Sequence, residues 1–188
     1  GGVSGEERRQ SWKKAAAASS EIEADGIAIY AEAEILMDES VPYVTPQAIG
    51  TGVVSVAKTV AALAPDMLVV YADRFEGFAA VIAATQMSVP TAHIEGGDIT
   101  EGGALDDSVR HAMTKLSHLH FTSNVEATQR IIAMGEEPWR IRLTGAPGLD
   151  GLMEAPVMNA AEFAGAVGIE SVDRLRLVTV HPETNAAQ

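Results

Sequence analysis

Between residues 67 and 144 short apolar runs alternate with stretches of helical spacing, and this rhythm leaves few folds open to the chain. Runs 67–71, 91–94, 118–122 and 140–144 read as strands, and 77–86, 107–116 and 125–134 as the helices between them. Short continuous apolar strands separated by helices mark βαβ units and a parallel sheet covered on both faces, so the class is α/β. Upstream, apolar residues at Ile49, Val53, Val56, Val60 and Leu63 predict a helix over 46–64. A further helix is expected over 6–23 and a strand over 27–36. Downstream, the Gly-, Pro- and Met-rich stretch 147–157 breaks the rhythm, a helix is expected over 160–167, and 175–180 reads as a new strand. The expected organisation is therefore a first domain over 1–146, a linker over 147–158, and the start of a second domain over 159–188.

Composition removes several classes of function. A net charge of −13 over 188 residues argues against a nucleic-acid surface, which needs a concentrated basic face. The longest apolar run, 50–65, is interrupted by Thr51, Ser55, Lys58 and Thr59, too soon for a membrane helix of about 20 residues. The chain has no cysteine, which excludes disulfides, thiolate metal sites and a cysteine nucleophile within it. Asp, Glu and His are present, but no spacing such as His-x-x-x-His supports a metal site.

In open parallel sheets, ligands sit beyond the carboxyl ends of the strands. Asp73 and Arg74 follow the strand that ends at Tyr71, and His93 and Glu95 close the next, two apart and on one face. The loop from Gly96 to Gly103 has glycine at four of eight positions, suited either to close backbone approach to a ligand or to a plain turn. After it, Asp106 or Asp107 caps a helix whose Val109, Ala112, Met113 and Leu116 face inward. Asp106 with Arg110 and Asp107 with His111 are each four apart and are expected to pair. A carboxylate at a helix N-terminus stays a ready base, whereas one in a dry crevice becomes an acid, and the sequence leaves that choice open.

In order along the chain, Asp73-Arg74-Phe75-Glu76, His93-Ile94-Glu95-Gly96-Gly97-Asp98, Asp106-Asp107-Ser108-Val109-Arg110-His111, the stretch from Thr114 to Phe121 and His181-Pro182-Glu183-Thr184 resemble the UDP-N-acetylglucosamine 2-epimerases. The pattern is similar to the hydrolysing branch that opens sialic acid synthesis. The resemblance runs from about residue 22 to 184 and implies a Rossmann-like parallel sheet, the N-terminal half of a two-domain fold of the glycosyltransferase B type. It implies elimination of UDP to 2-acetamidoglucal, then hydration to N-acetylmannosamine, with no metal and no other cofactor. By position Asp73, Glu95, Asp106 and His181 match catalytic groups, and Arg74, His93, Gly96, Gly97, Arg110 and His111 match substrate-binding ones. The partner so implied is a UDP-sugar, in a cytoplasmic homo-oligomer, a dimer or tetramer. Rival enzymes are a UDP-diacetamido-trideoxyhexose 2-epimerase of bacterial nonulosonic acid synthesis and the non-hydrolysing epimerase; a sugar-nucleotide-binding module without catalysis is the rival outside enzymes.

Three departures qualify the resemblance. The family's first strand, its Arg-containing loop and most of its second domain have no counterpart, so the chain is expected to be truncated at both ends, inactive by itself and poorly soluble. Ala72 stands where glycine is expected, and Gly102-Gly103 makes the loop before Asp106 one residue longer.

Overall fold

The computed structural model describes residues 19–35, 42–100, 105–152, 157–173, 175–176 and 178–179. The chain divides into two compact units, Gly1–Gly145 and Ala146–Gln188. In the first, α1 (Val44–Leu63) leads into β1 (Leu68–Tyr71), α2 (Phe75–Gln86), β2 (Thr91–Ile94), α3 (Leu105–Leu116), β3 (Leu119–Thr122), α4 (Val125–Ala133) and β4 (Ile141–Leu143). The four strands form one parallel sheet in the order β1-β2-β3-β4. This is the α/β, Rossmann-like arrangement that the strand and helix rhythm predicts.

Because every strand pairs with its neighbour in sequence, right-handed crossovers carry α2, α3 and α4 to the same face of the sheet. Coverage of both faces, expected from the apolar runs, is incomplete among the described residues: Thr91, Ala92 and His93 bury both faces of β2, but one face of β1 is exposed. Register explains the difference: Val70, His93, His120 and Ile141 lie side by side across the sheet and are all buried. Val70 packs with Val81 of α2 and Met113 of α3. Side chains alternate across a strand, so Val69 and Tyr71 point the other way, and they are 60% and 53% exposed.

Two further expectations change. Residues 27–35 form no strand; Ile35 instead lies against α1, near Gly52, and the Glu34 amide donates to Ser55 Oγ at 2.8 Å. A strand exists only through its ladder, and no described strand pairs with this segment. Residues 175–176 and 178–179 likewise form no strand, and positions 174, 177 and 180 lie outside the described residues. Of the upstream helix, 19–24 is helical and 6–18 lies outside the described residues.

In the second unit, α5 (Ala160–Val167) starts from a complete capping box, in which the Asn159 side chain accepts from the Glu162 amide and Glu162 from the Asn159 amide. It stops at Gly168 in the left-handed conformation, φ 72°.

Close packing of the loop after β2 on α4 depends on one glycine. Gly97 has φ +79°, and a Cβ there would lie 2.6 Å from the Ala127 carbonyl oxygen and 2.6 Å from Ile131 Cγ1. Left-handed strain costs about 1–2 kcal/mol and overpacking about 1–3 kcal/mol, so Gly97→Ala is expected to lose about 2–5 kcal/mol in urea unfolding. A loss below about 0.5 kcal/mol would show that the loop does not need this approach.

Candidate active site

The site is built where β1 and β2 end side by side. Tyr71 is in register with Ile94, and the residue after each strand turns left-handed: Ala72 at φ 59° and Glu95 at φ 58°. Left-handed non-glycine residues cost roughly 1–2 kcal/mol each and concentrate where a side chain must be aimed. Both turns are tied to the neighbouring strand, the Ala72 amide to the Ile94 carbonyl at 2.9 Å and the Glu95 amide to the Phe121 carbonyl at 2.8 Å. The expectation that His93 and Glu95 share a face therefore fails, since the turn at Glu95 breaks the strand's alternation. His93 points into the core, and Glu95 is half-buried at the sheet end.

Arg110 is the centre of the charge arrangement. Its side chain is 10% exposed; one guanidinium nitrogen pairs with Asp73 Oδ2 and the other donates to Asp107 Oδ1 at 2.9 Å. Asp107 Oδ1 also accepts from the Thr100 amide at 2.8 Å. The pairings expected at four-residue spacing do not form: Arg110 takes Asp107, three residues back, and Asp73 from another element, rather than Asp106. A buried guanidinium prefers two carboxylates that reach its fork, which an exposed helix-face pair does not supply.

Asp106, in the first turn of α3, lies near Arg74, whose guanidinium is held above its ordinary pKa by the Glu76 hydrogen bond and charge, then by Asp106 and Asp73. Arg74 donates to Glu76 at 2.8 and 3.1 Å and is largely exposed. The nearby Glu95 carboxylate, with burial and the charge of Asp73, pushes the Tyr71 phenol up. Thus Asp73, Glu95 and Asp106 gather at one end of the sheet with Arg74 and Arg110. His181 lies outside the described residues.

His93 is fully buried, with Nε2 2.7 Å from the Ala72 carbonyl and Nδ1 3.1 Å from Thr114 Oγ. Burial pushes its pKa down to about 4, opposed by the Ala72 hydrogen bond. Gly96 lies over this pair; a Cβ there would meet His93 Nδ1 at 2.8 Å and Thr114 Oγ at 2.9 Å. Internal packing alone therefore requires glycine at both 96 and 97. His111 is half-buried, and its Nδ1, buried, has no hydrogen-bond partner among the described residues.

Asp107, Tyr71 and Thr114 were not singled out as site residues by the sequence. A usable signal existed for Asp107, three residues before an arginine in a helix, but none for Tyr71 or Thr114, whose partners lie on other strands and helices. Among the described residues no group of three or more His, Cys, Asp or Glu is placed to hold a metal ion. No helix among them is long and apolar enough to cross a membrane. At the opposite end of the sheet a shallow depression of about 400 Å³ is lined by Lys115, His118, Glu136 and Arg140. Its charges pair internally, Lys115 with Glu136 and Arg140 with Glu137.

Acidic side chains thus collect at the carboxyl ends of a parallel sheet, the edge at which open α/β folds bind their ligands. Residues 14–188 match the family model described as UDP-N-acetylglucosamine 2-epimerase, and the chain belongs to that family. It is 38% identical over 118 residues to the UDP-N,N'-diacetylbacillosamine 2-epimerase (hydrolyzing) of Legionella pneumophila, covering 63% of this chain and 31% of that protein. It is 33% identical over 123 residues to the UDP-N-acetylglucosamine 2-epimerase of Neisseria meningitidis, covering 65% and 32%. The crystal structure of a Neisseria meningitidis UDP-GlcNAc 2-epimerase bound to UDP-GlcNAc superposes with a TM-score of 0.58 at 22% identity, over 63% of this chain and 32% of that one. The chain thus spans about a third of the length of the relatives it matches. The solved structures share its α/β, Rossmann-like fold.

The depressed His93 pKa sets a pH dependence of stability. Between about 4 and the ordinary value of 6.5 the unfolded chain binds a proton that the folded one refuses, so stability rises with pH across that window and levels off above it. The change amounts to at most about 3 kcal/mol. His120, whose pKa burial also lowers against the opposing Glu136 charge, acts with the same sign. Urea unfolding from pH 4 to 7 is expected to show this rise, and to show less of it in His93→Gln. An identical slope in the variant would remove His93 as its source.

Proposed function

We propose that this chain is the acidic, proton-transferring part of a hydrolysing UDP-N-acetylglucosamine 2-epimerase, producing N-acetylmannosamine and UDP. The observation that carries it is the gathering of Asp73, Glu95 and Asp106 at the carboxyl end of the sheet, with Asp73 tied to buried Arg110, in a chain of this family. The proton on C2 of the sugar is weakly acidic, and its removal needs a positioned carboxylate. As that carboxylate takes the proton, the electron pair forms the C1–C2 double bond and UDP departs with the C1–O bond, leaving 2-acetamidoglucal. Water then adds across the double bond: hydroxyl to C1, a proton to C2 from the opposite face. Two carboxylates in different surroundings suit the two halves, one tied to a guanidinium and one beside a phenol.

His181 completes the proposed catalytic set. Arg74, Arg110 and His111, with the backbone at Gly96 and Gly97 and the neighbourhood of His93, make up the proposed substrate-binding set; the unpartnered His111 Nδ1 supports its membership. The reaction as proposed needs no metal or other cofactor, because elimination and hydration are proton transfers between side chains, water and the sugar, with no change of redox state on the protein. Residues 1–146 are then the first domain, 147–158 a linker and 159–188 the start of a second Rossmann-like domain, in a cytoplasmic homo-oligomer.

A second reading has its own support. The Legionella relative, at 38% identity, is named for a diacetylbacillosamine nucleotide, so a UDP-linked diacetamido sugar is the alternative substrate. In the complete enzyme, Asp73→Asn, Glu95→Gln and Asp106→Asn are each expected to lower kcat by at least about 100-fold with folding retained. NMR of the products separates the substrates: free N-acetylmannosamine supports the proposal, and a free diacetamido sugar or UDP-N-acetylmannosamine replaces it. Wild-type rates in all three variants would exclude the carboxylate assignment.

A further inference from the structure

The proton-transfer scheme gives His93 no chemical step, yet the structure surrounds it with polar contacts. Its ring is fully buried in the row Val70, His93, His120, Ile141, where an apolar side chain would pack as well. Both ring nitrogens are engaged. A carbonyl cannot donate, so Nε2–H donates to the Ala72 oxygen at 2.7 Å. In the neutral ring Nδ1 then accepts from the Thr114 hydroxyl 3.1 Å away, whose single proton is shared with the Arg110 carbonyl 3.0 Å from the same oxygen.

These contacts close a ring through the candidate site. Ala72 is bonded to Asp73, Asp73 pairs with Arg110, Thr114 stands one helical turn beyond Arg110 in α3, and His93 joins Thr114 back to Ala72. Ala72 is where such a tie matters most. At φ 59° it adopts a conformation that L residues take reluctantly, held by its amide bond to the Ile94 carbonyl and by the bond its own carbonyl accepts from the His93 ring. If it relaxes, the next side chain, Asp73, turns away from Arg110. Gly96 contributes by leaving room: any side chain there would push His93 off Thr114.

We propose that His93 and Thr114 are positioning residues for Asp73, fixing the Ala72 peptide and the Arg110 turn of α3 so that the carboxylate keeps one place. This rests on the reading of Asp73 as a proton-transfer group. His93 in this role does not meet the substrate, and it holds one tautomer throughout the working pH range because its nitrogens serve the scaffold. Misplacing a reacting group by about 1 Å costs on the order of 100-fold in rate, and loss of a supporting hydrogen bond typically costs about 10–100-fold.

The test uses the complete enzyme with UDP-N-acetylglucosamine as probe, rates being referred to folded protein by circular dichroism. Thr114→Val and His93→Asn, which break the ring, are expected to lower kcat by about 10–100-fold while KM stays within about threefold. Thr114→Ser keeps the hydroxyl, and His93→Gln returns an amide N–H to the reach of Nε2; both are expected to recover most of kcat. The pH profile of kcat is expected to drop in height without changing shape. Wild-type kcat in Thr114→Val, an equal loss in Thr114→Ser, or a vanished limb of the pH profile would each overturn the proposal. If His93→Asn does not fold, the Thr114 pair decides. Asp73→Asn is the control: full activity there defeats the functional reading and this proposal with it. Lost activity there beside a wild-type Thr114→Val defeats the positioning role alone.

Discussion

A guanidinium taken out of water is costly unless its fork is filled, and Arg110 in α3 fills it with Asp73 from the end of β1 and Asp107 from its own helix. That pairing links the first helical turn after the glycine loop to the first strand of the sheet. Without it, two carboxylates would face each other at short range with no cation between them, and their repulsion would open the strand end. The other acidic groups are placed around this pair: Glu95 by the left-handed turn after β2, and Asp106 by the turn of α3 that carries Asp107. The same interaction that stabilises the sheet end therefore gathers the carboxylates available for proton transfer.

The parallel sheet supplies the precision. Because β1 and β2 run in register, their two left-handed exits lie next to each other, and two carboxylates from sequence positions 73 and 95 arrive at one place. The glycines of the following loop serve the same end by a route other than ligand approach: Gly96 clears space for His93 and Thr114, and Gly97 lets the loop lie on α4. Binding of a diphosphate would need more positive charge than this acidic cluster offers, since Arg110 is already spent on two carboxylates and Arg74 on Glu76. That balance fits the acidic part of a larger site.

Periodicity made the strands and helices from 44 to 143 legible, because parallel strands buried under helices are continuous apolar runs and the helices carry clean spacing. It misleads at 27–35 and for part of the second face of the sheet, since both depend on partners in space that spacing does not encode. At the site, Asp73, Glu95, Asp106, Arg110 and the glycines stood out as polar or permissive residues at strand ends. The actual partners did not: four-residue spacing pointed Arg110 at Asp106, whereas the fold delivers Asp73 from 37 residues away. His93 carries the sharpest lesson, because a histidine at a strand end reads as a ligand-facing group, and only the packing shows it turned inward to hold Ala72.

The most direct test of this account is a double-mutant cycle in urea unfolding on Asp73→Asn and Arg110→Met. Arg110→Met, which strands two carboxylates beside an apolar chain, is predicted to lose about 3–5 kcal/mol, and adding Asp73→Asn is predicted to restore at least about 1 kcal/mol of it. Additive losses, with coupling under about 0.3 kcal/mol, would contradict the claim that Arg110 and Asp73 form the interaction on which the site is built.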